Sequence, residues 1–213
     1  MAFDVTRFRS ELGLDGARSN LFEVVIPNFN TNFGIDSAST SNKLTFMCKT
    51  AQLPGSTIGI VPIQYFGREV KVAGNRTFQD WTINIINDED FLVRNSMEKW
   101  MNALNDPRLN IRNSNAVSTD QTTPGKSYAV DALVNQYGKS GNLIKTYNFR
   151  GMFPVDISAI DLDWGNNDSI EEFSVTFAYQ YWESVSSGVS STSANPLSGL
   201  PAGSGTGSPV SPQ

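Results

Sequence analysis

Histidine is absent from this chain, and cysteine occurs once, as Cys48. Without an imidazole the chain lacks the usual general base of nucleophilic hydrolases and the commonest transition-metal ligand. Most familiar catalytic sites are closed to it, although carboxylate-only chemistry such as glycoside hydrolysis stays open. A single thiol makes no internal disulfide, so packing must hold the fold, and a reducing cytoplasm suits it. Basic residues are also few: 16 Lys and Arg stand against 21 Asp and Glu, for a net charge of -5. Affinity for nucleic acid comes mainly from Lys and Arg releasing phosphate counterions, so an acidic chain passes a polyanion along more readily than it grips one. Long apolar runs are missing too. Asp4, Arg7 and Arg9 interrupt the opening Met1–Ser10 where a secretory signal needs an unbroken apolar core. Neither export by the general secretory route nor stable membrane association is expected.

What is present is alternation. Within 213 residues, 39% of them hydrophobic, several stretches show the period of two that marks a strand with one buried face. The pattern predicts one long strand from Ile170 to Glu183, with Phe173, Val175, Phe177, Tyr179 and Tyr181 on one side. Shorter strands are predicted at Phe22/Val24/Ile26, Phe46/Cys48, Val70/Val72, Trp81/Ile83/Ile85, Tyr128/Val130/Ala132/Val134 and Ile160/Leu162/Trp164. Ile58–Phe66 and Leu143–Phe149 are apolar on both faces and need cover on both sides, from another layer or another subunit.

One stretch reads as a substantial helix, about Asp88–Asn105, with Val93, Met97, Trp100, Met101 and Leu104 at helical spacing. Asn87 is its expected N-cap, Asp88, Glu89 and Asp90 suit its positive end, and Pro107 follows it. A shorter helical turn fits Asp4–Leu12. Asn28–Lys43 and Asp106–Lys126 read as long loops, of a length usually tied to a task such as contact with neighbouring molecules. From Ser184 to Gln213 the chain carries no charge and no apolar periodicity, as expected of a flexible or extended arm. The expected organisation is an N-terminal arm over 1–19, one β domain over 20–183 and a Ser/Gly/Pro-rich tail over 184–213.

Three constellations are candidates for chemistry. Asp161, Asp163, Asn167 and Glu172 fall at positions one, three, seven and twelve of a calcium-loop spacing. Gly165 stands at position five, where the motif needs glycine at six, and the flanks do not read as helices, so a turn is the ordinary explanation. Asp88, Glu89 and Asp90 are explained by a helix start, and adjacent carboxylates cannot flank a sugar from two sides. Cys48 has no histidine to activate it and reads as a small buried residue. No catalytic residue, metal or cofactor is expected. Arg68, Glu69 and Lys71 alternate with Val70 and Val72, a mixture of signs that suits an edge strand pairing with another copy.

Val72–Asp90 (VAGNRTFQDWTINIINDED) resembles the most distinctive stretch of the tail tube proteins of T-even-like contractile-tailed bacteriophages. Asn20–Val24 (NLFEV), Phe46–Gly55 (FMCKTAQLPG), Leu162–Trp164 and Phe173–Glu183 (FSVTFAYQYWE) resemble that family in the same order. The resemblance implies a mainly β fold of two packed antiparallel sheets, a sandwich or barrel with one α-helix. It further implies hexameric rings with a continuous inner β-barrel, stacked into a hollow tube, as in injection-system and type VI secretion tube proteins. A non-enzymatic structural role in the virion follows, with assembly in the host cytoplasm.

By the same resemblance, contacts between subunits and rings involve Leu53, Pro54, Gly55, Ile58, Ile60, Val61, Ile63 and Phe66 with the N-terminal arm; the mixed-sign edge adds Arg68 and Glu69 to the expected interface. Within the motif of Val72, Ala73, Gly74, Asn75, Arg76, Thr77, Phe78, Asp80 and Trp81, a turn is expected at Gly74-Asn75 and a core position at Trp81. The implied partners are further copies of the chain, the tail sheath protein, baseplate tube and hub proteins, and a tape measure protein inside the tube during assembly. DNA passes through without specific binding. A baseplate tube-initiator, the inner tube of a phage-like injection system and, more remotely, a carbohydrate-binding β-sandwich are the competing readings.

Overall fold

The computed structural model describes residues 4–12, 16–27, 29, 35–112 and 127–186. In chain order the elements are α1 (Val5–Leu12), β1 (Phe22–Val25), α2 (Ser37–Met47), β2 (Cys48–Ala51), β3 (Ser56–Tyr65), β4 (Arg68–Phe78), β5 (Trp81–Ile86) and α3 (Leu92–Leu104). They continue with β6 (Asn105–Asp106), β7 (Ile111–Arg112), β8 (Val130–Tyr137), β9 (Leu143–Ile157), β10 (Glu172–Ala178) and β11 (Tyr181–Ser186).

Seven strands pair antiparallel in the order β1-β8-β9-β10-β5-β2, with β11 also on β9. The long β9 serves two sheets. Its first part, Lys145–Arg150, pairs with β11, and its last part, Phe153–Ile157, pairs with β10. Gly151 marks the changeover at φ 65°, and a Cβ there would come within 2.9 Å of Gln180 Cγ. Glycine is required twice over, for the left-handed backbone and for the close approach. The sheets fold over a core in which Trp81 of β5 stacks on Phe149 of β9, with ring centroids 4.4 Å apart.

Alternation works as read in the central strands. Ile83 and Ile85 of β5, Ala132 and Val134 of β8, and Phe173, Val175 and Phe177 of β10 are buried. Helix α3 lays Val93, Met97 and Trp100 into the same core, and the Trp100 indole donates to the Tyr128 carbonyl at 2.9 Å. Among the described residues a single chain closes no barrel, since β1 and β2 end the path of paired strands.

Several expectations are corrected. The predicted strand Ile170–Glu183 is two strands: the chain leaves β10 after Ala178, bonds Gln180 N–H to Arg150 O (3.0 Å), and resumes as β11 with Tyr181 exposed. Ile160, Leu162 and Trp164 form no strand, and Leu162 and Trp164 face solvent. The described part of the expected loop Asn28–Lys43 is mostly helix, because α2 begins at Ser37 and runs through Met47. That helix also takes Phe46 out of the predicted strand, which starts only at Cys48.

Helix α2 carries no apolar stripe, burying only Thr40, Ser41 and Leu44. Capping and polar contacts hold it instead: Asp36 accepts from Ser39 Oγ at 2.6 Å, and Thr40 Oγ1 and Ser96 Oγ share a buried hydrogen bond of 3.0 Å with α3. The Ser39 bonds also hold the Asp36 carboxyl below its usual range.

Helix α3 starts at Leu92, not at Asp88, with Phe91 (φ 51°) at the N-cap position. Asn87 lies four residues before that position and does not cap the helix: its Nδ2 donates to Glu171 Oε2 (2.9 Å), its backbone N–H donates to Glu171 O (2.8 Å), and its Oδ1 is buried without a partner. Asp88 and Asp90 pair with Lys43 of α2, the latter at 3.1 Å, which explains these carboxylates by a contact between α2 and the turn that precedes α3. Asp106 begins no long featureless loop, since β6 and β7 form a short ladder there, and 113–126 lie outside the described residues. Strand β11 runs three residues past Glu183 to Ser186, and the remainder of the tail lies outside the described residues.

Candidate assembly surface

Among the described strands, β3 and β4 pair only with each other and leave the body of the fold as a hairpin. Every residue of β3 is exposed, and so is nearly all of β4. The register sorts their side chains. Val61 faces Val72, Ile63 faces Val70 and Tyr65 faces Arg68 on one side, while Pro62–Lys71 and Gln64–Glu69 share the other. An isolated two-stranded ribbon is marginal in water, and one with a row of exposed β-branched residues is an incomplete surface.

Leu53, Pro54 and Gly55 lead from β2 into the hairpin, and two indoles fix this root. Trp81 Nε1 donates to Gln52 O at 2.7 Å, and Trp182 Nε1 donates to Gly55 O at 3.2 Å. Ile58, Ile60, Val61 and Ile63 lie along β3, Phe66 is 92% exposed at the tip, and Arg68 and Glu69 open β4. The expected turn at Gly74-Asn75 is corrected: both lie inside β4, and the chain reverses at Phe66-Gly67, where φ is 44° and 79°. Gly74 instead permits a close approach, since a Cβ there would meet Gly59 O at 3.1 Å and Val61 Cγ2 at 3.2 Å, beside a register shift between Ile58 and Ile60.

The rest of the motif ties hairpin to body. Arg76 donates to Ser56 Oγ (2.8 Å) and lies over the rings of Phe78 (5.3 Å) and Trp182 (5.6 Å). Thr77 Oγ1 donates to Thr57 O at 3.4 Å, Phe78 packs near Tyr179, and Trp81 is buried. Val72 and Ala73 continue β4, and Asp80 lies in the link to β5, where its charge adds to burial in raising the Tyr179 pKa. The alternation of Val70 and Val72 predicts a strand with one buried face; the strand is there, but the chain itself buries neither residue. Tyr65, 66% exposed beside Phe66, escapes sequence reasoning, and its aromatic neighbour at the turn is the available signal.

On the body, a polar sheet face carries the charges. Arg150 pairs with Asp131 at 2.5 Å and with Glu183 at 3.6 Å, and the Asp131 hydrogen bond raises the guanidinium pKa further. Tyr137 donates to Glu23 Oε2 at 2.6 Å, which pushes its phenol up. Asp163 Oδ1 accepts from the Gly165 N–H at 2.9 Å, a local turn contact. Among the described residues no cluster of three Cys, Asp or Glu side chains is placed to hold a metal ion, and no helix is long and apolar enough to cross a membrane.

The family model described as phage tail tube protein matches residues 17–185. The chain belongs to the phage tail tube protein family. It is 34% identical over 183 residues to the tail tube protein gp19 of Enterobacteria phage T4, across 84% of this chain and 98% of that protein. Identity to the corresponding protein of Enterobacteria phage T6 is 33%, with the same coverage. In fold the chain is similar to one in the cryo-EM sheath-tube complex of an extracellular contractile injection system (TM-score 0.52, 12% identity, 87% of this chain and 99% of that one). It is likewise similar to a chain in the tube-terminating cap of the anti-feeding prophage (TM-score 0.54, 13% identity, 80% and 91%). The tail tube protein is a structural component of the virion tail, and its relatives are structural proteins rather than enzymes.

Proposed function

We propose that this tail tube protein assembles into hexameric rings that stack into a rigid hollow tube, with strands of neighbouring subunits completing a continuous inner β-barrel. The carrying observation is the β3–β4 hairpin, 10 and 11 residues long and exposed on both faces. Pairing or packing with further copies would bury its aliphatic row and cover the open edges at β1 and β2. In this reading Leu53, Pro54, Gly55, Ile58, Ile60, Val61, Ile63, Phe66, Arg68 and Glu69 lie in contacts between subunits or rings. Residues 20–186 form the ring, 1–19 an arm to a neighbour, and 187–213 a tail outside the bore.

The tube is surrounded by the sheath, starts on baseplate tube and hub proteins, holds a tape measure protein during assembly and conducts DNA when the sheath contracts. A net charge of -5 supports passage without binding, because a polyanion moves freely where few cations hold it. Negative-stain microscopy of the purified full chain tests the assembly, and stacked rings or hollow rods of uniform width are expected. A species that stays monomeric at every concentration would reject it.

A further inference from the structure

The hairpin leaves one end of the sheet, and a second unpartnered surface lies at the other. Trp81, next to the hairpin root, pairs with Phe177, whereas Ile86 at the far end of β5 pairs with Glu172. The segment 158–171 enters β10 at that far end, roughly 17 Å away over five steps of about 3.3 Å. It forms an open, largely polar groove of about 450 Å³, in which Leu162 and Trp164 stand among Asp161, Asp163, Glu171 and Glu172. Leu162 is 80% exposed and Trp164 fully so, an arrangement that a lone chain gains nothing by displaying.

We infer that the hairpin tip of one copy docks in the 158–171 groove of the next copy along the tube. This rests on the assembly reading and names the receiving site. The two surfaces match in chemistry: Tyr65 and Phe66 offer paired rings, 4.6 Å between centroids, to the exposed Leu162, Trp164 and Ile170, and Arg68 brings a cation to the acidic lining of Asp161 and Asp163. They match in placement too, because donor and acceptor at opposite ends of one sheet make a head-to-tail contact, which recruits further copies instead of closing an isologous pair. Aromatic rings with an adjacent arginine are the residue types that dominate interface energetics.

The test joins the two ends in assembled tubes. In a Cys48→Ala background, chains carrying Phe66→Cys are mixed with chains carrying Trp164→Cys, assembled and oxidised. Unlike pairs should exceed either like pair by on the order of tenfold, since only thiols held within disulfide range bond. A parallel mixture of Phe8→Cys with Trp164→Cys asks whether α1 occupies the groove instead. Because substitution at the contact weakens it, surface charge supplies a second measurement: Arg68→Glu should lower tube yield, and Asp161→Lys with Asp163→Lys should restore it. Tubes in which the thiol introduced at position 164 bonds to the one at position 8 or to nothing, or in which the charge exchange restores nothing, overturn the docking site while leaving assembly intact. Absence of tubes from the unsubstituted chain overturns both.

Discussion

Trp81 stacks on Phe149 at 4.4 Å and an interplanar angle of 28°, so one indole joins the two sheets while its N–H holds the hairpin root through Gln52 O. Trp81→Ala should therefore cost about 3–5 kcal/mol, the range for deleting a large buried aromatic side chain. Trp164→Ala, at a fully exposed position, should fall within about 0.5 kcal/mol of the parent. Urea denaturation of unassembled chains measures both, and equal losses would refute the assignment of Trp81 to the core.

Gly74 and Gly67 should fail differently. Gly74→Ala places a Cβ against the Gly59 carbonyl and Val61 Cγ2 and should loosen the hairpin by about 1–3 kcal/mol through overpacking. Gly67→Ala meets open space but keeps φ at 79°, a backbone cost of about 1–2 kcal/mol. Amide hydrogen exchange across β3 and β4 should show the first change centred on the Ile58–Ile60 register shift and the second on the tip. Identical exchange maps would count against these separate causes.

Burial pushes the Cys48 thiol up to about 12 from 9.0. A raised folded-state pKa contributes stability that is fully present below pH 9 and is lost as pH rises towards 12. At pH 8 the native thiol should alkylate far more slowly than the same thiol in urea, because the thiolate is the reactive form. Iodoacetamide labelling followed by mass spectrometry decides it, with equal native and denatured rates as the refuting result.

The core strands are legible in the sequence because one-sided burial imposes a period of two, as Ile83/Ile85 and Phe173/Val175/Phe177 display. Helix α2 is not, because caps and polar contacts hold it and it carries no apolar stripe. The break at Tyr179-Gln180 is hidden for another reason: alternation continues through Tyr181, although the chain changes its pairing at the Gly151 corner. Periodicity also cannot tell a core from an unfilled interface. Val70 and Val72 alternate like buried residues and yet lie exposed on the hairpin; the two-sided apolar run of Ile58–Phe66 and the mixed charges of Arg68, Glu69 and Lys71 hint at a partner, and only family resemblance extends the surface to Leu53, Pro54 and Gly55.

Arg76 gives the sharpest separation of folding from assembly. Its guanidinium bridges Ser56, Phe78 and Trp182 at the hairpin root, where it sets the direction in which the ribbon leaves the body. Lysine keeps the charge but loses the planar stacking surface and the fixed donor fork. At an exposed site a cation–π contact is worth about 0.5–1 kcal/mol, so Arg76→Lys should leave the chain folded with a loss of that order. A ribbon whose exit angle wanders meets its neighbour less often in the right orientation, so tube yield should fall much further than stability does. Denaturation of the unassembled chain and quantitative sedimentation of tubes give the two readouts side by side. A variant that loses stability and assembly in proportion would show that Arg76 only supports the fold, whereas full assembly would show that the hairpin needs no such anchor.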